Sequence, residues 1–347
     1  MKLLFFEFAT ASGIKDPLIA SEGLAMLEGL ISDFQGIDAH YLISNHFNWL
    51  NFRIKGSNLK SIAIEDSLFN WLDENIHNFD ECLFIAPEED NVLYKLTSLI
   101  ENKGVNVIGS DSKAVKICSD KYKTYILLKD NVPIIKTEKI LFDEVSNYKK
   151  FDNLFFPNYK KVIKPVDGVS CSGVHIVNSY DQFKRCAGLI RTTIPYFVMQ
   201  DYIEGTSCSV SLLSDGEKAV PLSLNAQNIN INQGFVYNGG YVPLDHELSQ
   251  QAKDMAKKTV ESIPGLKGYV GVDLILGDSI YVVEINSRIT TPYIALRKIL
   301  NFNLGKAIIN SVNGSLPETI YLDGRVCFEK KGNYLEIYEG SFNGNGF

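Results

Sequence analysis

The chain begins with an unbroken apolar run, Leu3-Leu-Phe-Phe6, and short, mostly apolar segments return at Ala39–Ile43 and Glu81–Ala86. Runs of this length read as strands buried on both faces, which belong to parallel sheets covered by helices. Helical periodicity over Glu22–Ile31 and Asn91–Asn102 supplies the covering layers, and Val105–Ile108 closes the unit. Residues 1–108 are therefore expected to form a doubly wound, Rossmann-like α/β domain. Ligands collect at the carboxyl ends of such strands, so Glu7, Thr10, Ser12 and Pro87–Asp90 lie at a candidate rim; acidic residues there serve equally well as helix caps.

Beyond this domain the pattern predicts one helix over Ser112–Leu128, then strand, helix, strand and helix up to residue 195. Phe197–Tyr202 and Ser207–Leu213 read as strands, Asn225–Gly240 as a loop or irregular hairpin, and Glu247–Val260 and Tyr293–Asn310 as helices. Thr319–Leu322, Arg325–Glu329 and Tyr334–Tyr338 read as a small β-meander in a tail spanning 316–347.

Composition narrows the function classes. The net charge of −7 over 347 residues argues against a nucleic-acid surface. Six cysteines without a CxxC pair indicate neither a zinc site nor a disulfide framework, and fit reduced thiols in the cytoplasm. No segment approaches the roughly 20 apolar residues of a membrane-spanning helix, and the first apolar run is too short for a signal sequence.

Polar residues interrupt the apolar pattern most tellingly at Gly271-Val-Asp273-Leu-Ile and, after a turn at Gly277-Asp278, at Tyr281-Val-Val-Glu284-Ile-Asn286-Ser-Arg288. As paired antiparallel strands, these place Glu284, Asn286 and Arg288 on one face and bring Asp273 near them. A cluster of hard oxygen ligands suits Mg²⁺, which reaches proteins through one or two carboxylates plus substrate phosphates. An ordinary surface ion pair accounts for the same residues taken alone. Lys164, inside the apolar strand Val162-Ile-Lys164-Pro165, needs an anionic partner, and a phosphate is the natural one. The loop after it, Asp167–Gly173, offers backbone N–H groups and the hydroxyls of Ser170 and Ser172; a plain turn has the same composition. Lys121 is either a second phosphate contact or a solvated helix lysine.

In chain order, Asp120-Lys121, Lys164-Pro165 with its Ser/Gly loop, Gln200–Gly205, Asp273 and Glu284-Ile-Asn286-Ser-Arg288 resemble the ATP-grasp superfamily over residues 1 to about 312. The resemblance implies a pre-ATP-grasp domain (1–108), a lid subdomain (109–195) and a metal-site subdomain (196–315), the two α+β subdomains clasping ATP. It implies Lys121 and Lys164 at the nucleotide, with Ser170, Ser172 and Gly173 of the loop on its phosphates. Gln200, Asp201, Tyr202 and Ile203 would form the adenine hinge, and Asp273, Glu284 and Asn286 would hold one or two Mg²⁺ or Mn²⁺. Ser207 stands where many members carry a ribose-binding Glu, so the ribose contact stays open, with Glu204 as the candidate.

Leu4-Phe-Phe-Glu7-Phe-Ala9, Ser21-Glu22-Gly23, Ile85-Ala-Pro87-Glu88, Leu224-Asn225-Ala-Gln227 and Tyr237-Asn-Gly239-Gly240 are similar to the branch that couples L-glutamate to tyramine in methanofuran biosynthesis. The implied activity is ATP-dependent amide formation from two small molecules, an amino acid and an amine, through an acyl phosphate. Lys164 and Arg288 would be catalytic, in an enzyme whose relatives are often homodimers. A ligase of two amino acids, or a nucleotide-binding protein without turnover, are the other readings; the full set of Lys164, Asp273, Glu284, Asn286 and Arg288 favours turnover.

Overall fold

A computed structural model describes residues 2–52, 59–155, 159–169, 171–231 and 234–340. The first sheet is parallel, built from β1 (Leu3–Glu7), β2 (Ala39–Ser44), β3 (Lys60–Ile64), β4 (Glu81–Ile85) and β5 (Asn106–Val107) in the order β3-β2-β1-β4-β5. Alternation sets its two faces. Leu3, Phe5, Tyr41, Ile43 and Leu83 pack into one core, whereas Leu4, Phe6, Leu42 and Phe84 pack into another on the opposite side. Full burial of each such side chain contributes about 1.5–3 kcal/mol, so the central strand has no polar position to spare until Glu7.

The second sheet is antiparallel, with β6 (Thr137–Leu141), β7 (Lys161–Pro165), β8 (His175–Val177) and β9 (Tyr196–Asp201) in the order β6-β9-β7-β8. It has its own core around Ile163, Phe183, Phe197 and Met199. The third sheet is also antiparallel and runs β14-β13-β10-β11-β12-β15-β16. Its strands are β10 (Thr206–Asp215), β11 (Ala219–Ile231), β12 (Phe235–Val242), β13 (Lys267–Leu276), β14 (Ile280–Asn286), β15 (Val326–Lys331) and β16 (Tyr334–Glu339). The core under one face of the first sheet continues into this one through Leu213, Leu222, Tyr269 and Tyr293.

Several expectations need correction. Ser112–Leu128 is two helices, Ser112–Cys118 and Lys121–Leu128, because the Asp120 carboxylate turns back to cap the second on the N–H groups of Tyr122 and Lys123. Tyr293–Asn310 likewise divides into Tyr293–Ile299 and Leu304–Val312, with Asn303 capping the latter. Asn225–Gly240, by contrast, takes the second of its two expected forms, the β11–β12 hairpin, irregular through a register shift at Asn228/Ile229. Strand β3 and the helix Leu68–Asn75 carry no matching expectation. Thr319–Leu322 makes only a single bridge, Leu322 to Leu300, and the tail does not form a sheet of its own: β15 pairs with β12.

One buried carboxylate ties the first domain to the rest, and another is sealed inside that domain. Asp33, at the end of the helix Pro17–Asp33, accepts hydrogen bonds from the Tyr293 hydroxyl (2.6 Å), from Arg297 Nη2 and Nε (2.7 and 3.0 Å) and from the Gly305 N–H (3.1 Å). Glu7 caps the short helix Phe8–Ser12 on the Ala9 and Thr10 N–H groups rather than lining an open rim. A Cβ at Gly23 would stand 2.3 Å from Glu7 Oε2, so the absence of a side chain there is what lets the helix seal the carboxylate in.

Replacing Asp33 with Ala strands Arg297 and the Tyr293 hydroxyl, and should cost about 3–5 kcal/mol; thermal unfolding by circular dichroism should show a midpoint several degrees lower, and an unchanged midpoint would refute the staple. Burial raises Glu7 from its ordinary 4.5 to about 7. The protonated form is thus favoured on folding: its stabilising contribution is fully present below about pH 4.5 and is lost as pH rises through 7. Glu7→Gln should therefore gain stability relative to the parent chain between pH 5 and pH 8, and parallel pH profiles would contradict this.

Candidate functional site

The register of β13 and β14 sets Asp273 directly opposite Glu284, and Gly271 opposite Asn286, with an irregularity just after Asp273. Asp273 accepts hydrogen bonds from Asn286 Nδ2 (3.3 Å) and from Gln227 Nε2 on β11 (3.0 Å). Burial, reinforced by the charge of Glu284, pushes Asp273 up to about 7. Glu284 moves the other way: burial opposes its ionisation, but the ammonium groups of Lys121 and Lys164 outweigh it and hold the carboxyl below its usual range.

Those two lysines arrive from the second part of the chain. Lys121 Nζ lies 3.3 Å from Glu284 Oε2 and donates to the Gly168 carbonyl at 2.8 Å. Its helix starts at Asp120, whose second oxygen accepts the Tyr196 hydroxyl at 2.5 Å, so β9 fixes where Lys121 begins. Lys164, on β7 and 5% exposed, reaches the same Glu284 oxygen at 3.8 Å. Burial draws its ammonium down to about 8, against the pull of Glu284. Lys121 is thus turned inward, not solvated.

Arg288 is partly buried and forked onto Glu88, with Nε at 3.0 and 2.9 Å from the two carboxylate oxygens and Nη2 at 2.8 Å. Its charge is reinforced by Glu88 despite burial. Glu88 was legible only as a rim or capping residue, because its partner lies 200 positions away. Gln227 and Asp167 were also missed as organisers. Asp167 accepts the Asp90 N–H (3.2 Å) and the Thr192 hydroxyl (2.9 Å), tying the loop after Lys164 to the first domain.

Asp273, Glu284, Asn286, Lys121 and Lys164 are therefore brought together, while the rest of the expected set lies around them. Ser172 donates its N–H to Val169 in a turn, and Gly173 adopts φ +68°; Ser170 lies outside the described residues. The Gln200 side chain is buried on the Thr137 hydroxyl (2.8 Å), and Asp201 pairs with Lys161 (2.5 Å). Tyr202 donates its N–H to Lys160, and residues 202–205, including Ile203 and the exposed Glu204, cross from the second sheet to the third.

Among the described residues no group of three or more His, Cys, Asp or Glu is arranged to hold a metal. The candidate set is instead two carboxylates and an amide, which fits an ion that takes its remaining ligands from water and phosphates. Asp273 and Glu284 face each other with both lysines against Glu284, so Asp273 is the carboxylate without a lysine on it.

A model of the ATP-grasp domain matches residues 118–292, and one of the pre-ATP-grasp domain matches 42–115. The tyramine–L-glutamate ligase of Methanocaldococcus fervens is 38% identical over 85% of this chain and 89% of its own length. The enzyme of the same name from Methanocaldococcus jannaschii is 37% identical over 90% and 89%. A crystal structure described as an ATP-grasp superfamily protein from Archaeoglobus fulgidus superposes with a TM-score of 0.73 at 27% identity, covering 98% of this chain and all of that one. The L-amino acid ligase of Bacillus licheniformis shares the fold at TM-score 0.68 and 15% identity, over 95% of this chain and 79% of that one. With its lysines, carboxylates and three sheets in this arrangement, the chain belongs to the ATP-grasp family.

Proposed function

We propose that the protein is an ATP-dependent carboxylate–amine ligase that joins the γ-carboxylate of L-glutamate to the amine of tyramine, releasing ADP and phosphate. The observation that carries this reading is the convergence of Lys121 and Lys164 on Glu284 beside Asp273. Two buried ammonium groups and two carboxylates in one place suit a polyphosphate with a divalent cation better than they suit each other. The substrates come from the two ligases with which the chain shares most of its length.

Asp273, Glu284 and Asn286 would hold Mg²⁺ or Mn²⁺, which when bound neutralises charge on the transferred phosphoryl group. Lys164 and Lys121 orient the phosphates, with the backbone of the loop around Ser172 and Gly173 above them. Gln200 to Ile203 lie at the crossing where an adenine edge would meet main-chain groups, with Glu204 near the ribose. The γ-phosphoryl group passes from ATP to a γ-carboxylate oxygen of glutamate, the P–O bond to the departing ADP breaking as another forms. The neutral amine then attacks the acyl carbon; the C–N bond forms, the C–O bond to phosphate breaks, and the nitrogen loses a proton. Arg288, held rigid by Glu88, is placed to stabilise the acyl phosphate, and water exclusion by the loop protects it from hydrolysis. The six free cysteines fit a reducing cytoplasm, and among the described residues no helix is long and apolar enough to cross a membrane.

Purified protein given ATP, Mg²⁺, L-glutamate and tyramine should release ADP and form a conjugate of γ-glutamyltyramine mass, each component being required; ADP release with a different amino acid or amine would move the reading to another ligase. Glu284→Gln should reduce kcat at least a hundredfold, on the order of what electrostatic groups at such centres contribute. Arg288→Ala should leave ATP binding near normal by calorimetry while amide formation falls relative to ADP release; tight coupling in that variant would remove Arg288 from the chemistry.

A further inference from the structure

Beside the lysine–carboxylate cluster a groove of about 540 Å³ opens between the segment 171–175 and β12. Ser172, His175, Tyr237, Asn238 and Lys330 supply its polar lining, and Leu18 of the first domain closes one side. The Lys330 ammonium stands 3.1 Å from the Glu22 carboxylate and 5.2 Å from the centre of the Tyr237 ring. Both charged side chains are mostly withdrawn from solvent, at 13% and 18% exposure. Glu22 lies one helical turn beyond Leu18, on the same helix face. Its other oxygen accepts the Thr291 hydroxyl, and Thr291 follows Arg288 by three residues. The pair is thereby linked on one side to the groove and on the other to the segment that carries Arg288.

An ion pair this buried gains little net stability over apolar packing, because both ions lose hydration. Lys330 lines the groove and Glu22 stands against it, and this position gives the pair a use. We propose that Lys330 and Glu22 bind the α-carboxylate and α-ammonium of the amino-acid substrate, so that only its side-chain carboxylate reaches the phosphoryl end. This inference rests on the ligase reading. A pair of opposite charges matches the two charges of an α-amino acid. Tyramine carries an ammonium alone and would leave Lys330 without a counterpart, so the observations favour the amino acid. Tyr237, on the groove wall, is held well above its ordinary range by burial and by the charges of Glu22 and Asp273, and its ring lies beneath the Lys330 ammonium. The β15 strand that presents Lys330 is fixed through its partner β16, where the Leu335 N–H donates to the Ser21 hydroxyl at 2.8 Å.

The test is steady-state kinetics of the full chain with glutamate, 4-aminobutyrate (glutamate without its α-carboxylate) and glutarate (glutamate without its ammonium). Lys330→Met and Glu22→Gln should each raise the KM for glutamate about ten- to hundredfold, the range of a hydrogen bond to a charged group, without raising those for tyramine and ATP. Lys330→Met should also erase the preference for glutamate over 4-aminobutyrate, and Glu22→Gln the preference over glutarate. The exchange Glu22→Lys with Lys330→Glu keeps an ion pair for folding and should still bind glutamate poorly. Normal glutamate KM in all three variants, or a rise in the tyramine KM instead, would overturn the assignment while leaving the ligase intact. A parent chain that forms no conjugate would overturn the ligase reading, and this one with it.

Discussion

The carboxylate of Glu284 is the point on which the site depends. Two lysines from a different part of the chain lie against it, and the burial of an ammonium such as that of Lys164 is costly without an anion beside it. The arrangement therefore couples the second sheet to the third through charge, although each has its own apolar core. Apolar burial holds the sheets; a few oriented charges decide how they face one another. Residues 202–205 are the covalent counterpart of that link, since they carry the chain from β9 directly into β10, the strand paired to β13 beside Asp273.

The first domain is attached by a second set of charges. Glu88 holds Arg288, Asp33 holds Arg297, and Asp167 reaches back to Asp90. Arg288 and Arg297 flank the segment that follows β14, so the first domain fixes the end of the strand bearing Glu284 and Asn286. A parallel sheet with apolar faces thus acts mainly as a rigid support, and its polar contribution comes from strand ends and helix starts, where backbone groups are free to be capped.

Much of this was legible in the sequence. The doubly wound start, the β13–β14 hairpin and the strand bearing Lys164 follow from apolar patterning interrupted at single polar positions. Family resemblance added the order in which the lysines and carboxylates meet. Patterning alone hid the helix breaks at Asp120 and Asn303, because each side chain there satisfies local N–H groups and leaves the apolar period nearly undisturbed. It also hid Glu88, Gln227 and Glu22, whose partners lie far along the chain and leave no signature at short spacing. Long-range polar pairs are a property of the folded arrangement, and a one-dimensional period does not record them.

The pairing of β15 with β12, and of β16 with the helix that carries Ser21, has a temporal side. Glu22 precedes Lys164, Asp273 and Glu284 along the chain, and Lys330 follows them. During synthesis the parallel domain and the lysine–carboxylate cluster can assemble while one wall of the neighbouring groove is still missing. The groove closes only when β15 and β16 have been made and dock against the sheet. Completion of this wall thus comes after that of the cluster, and a chain stopped before β15 would present an unfinished pocket beside it.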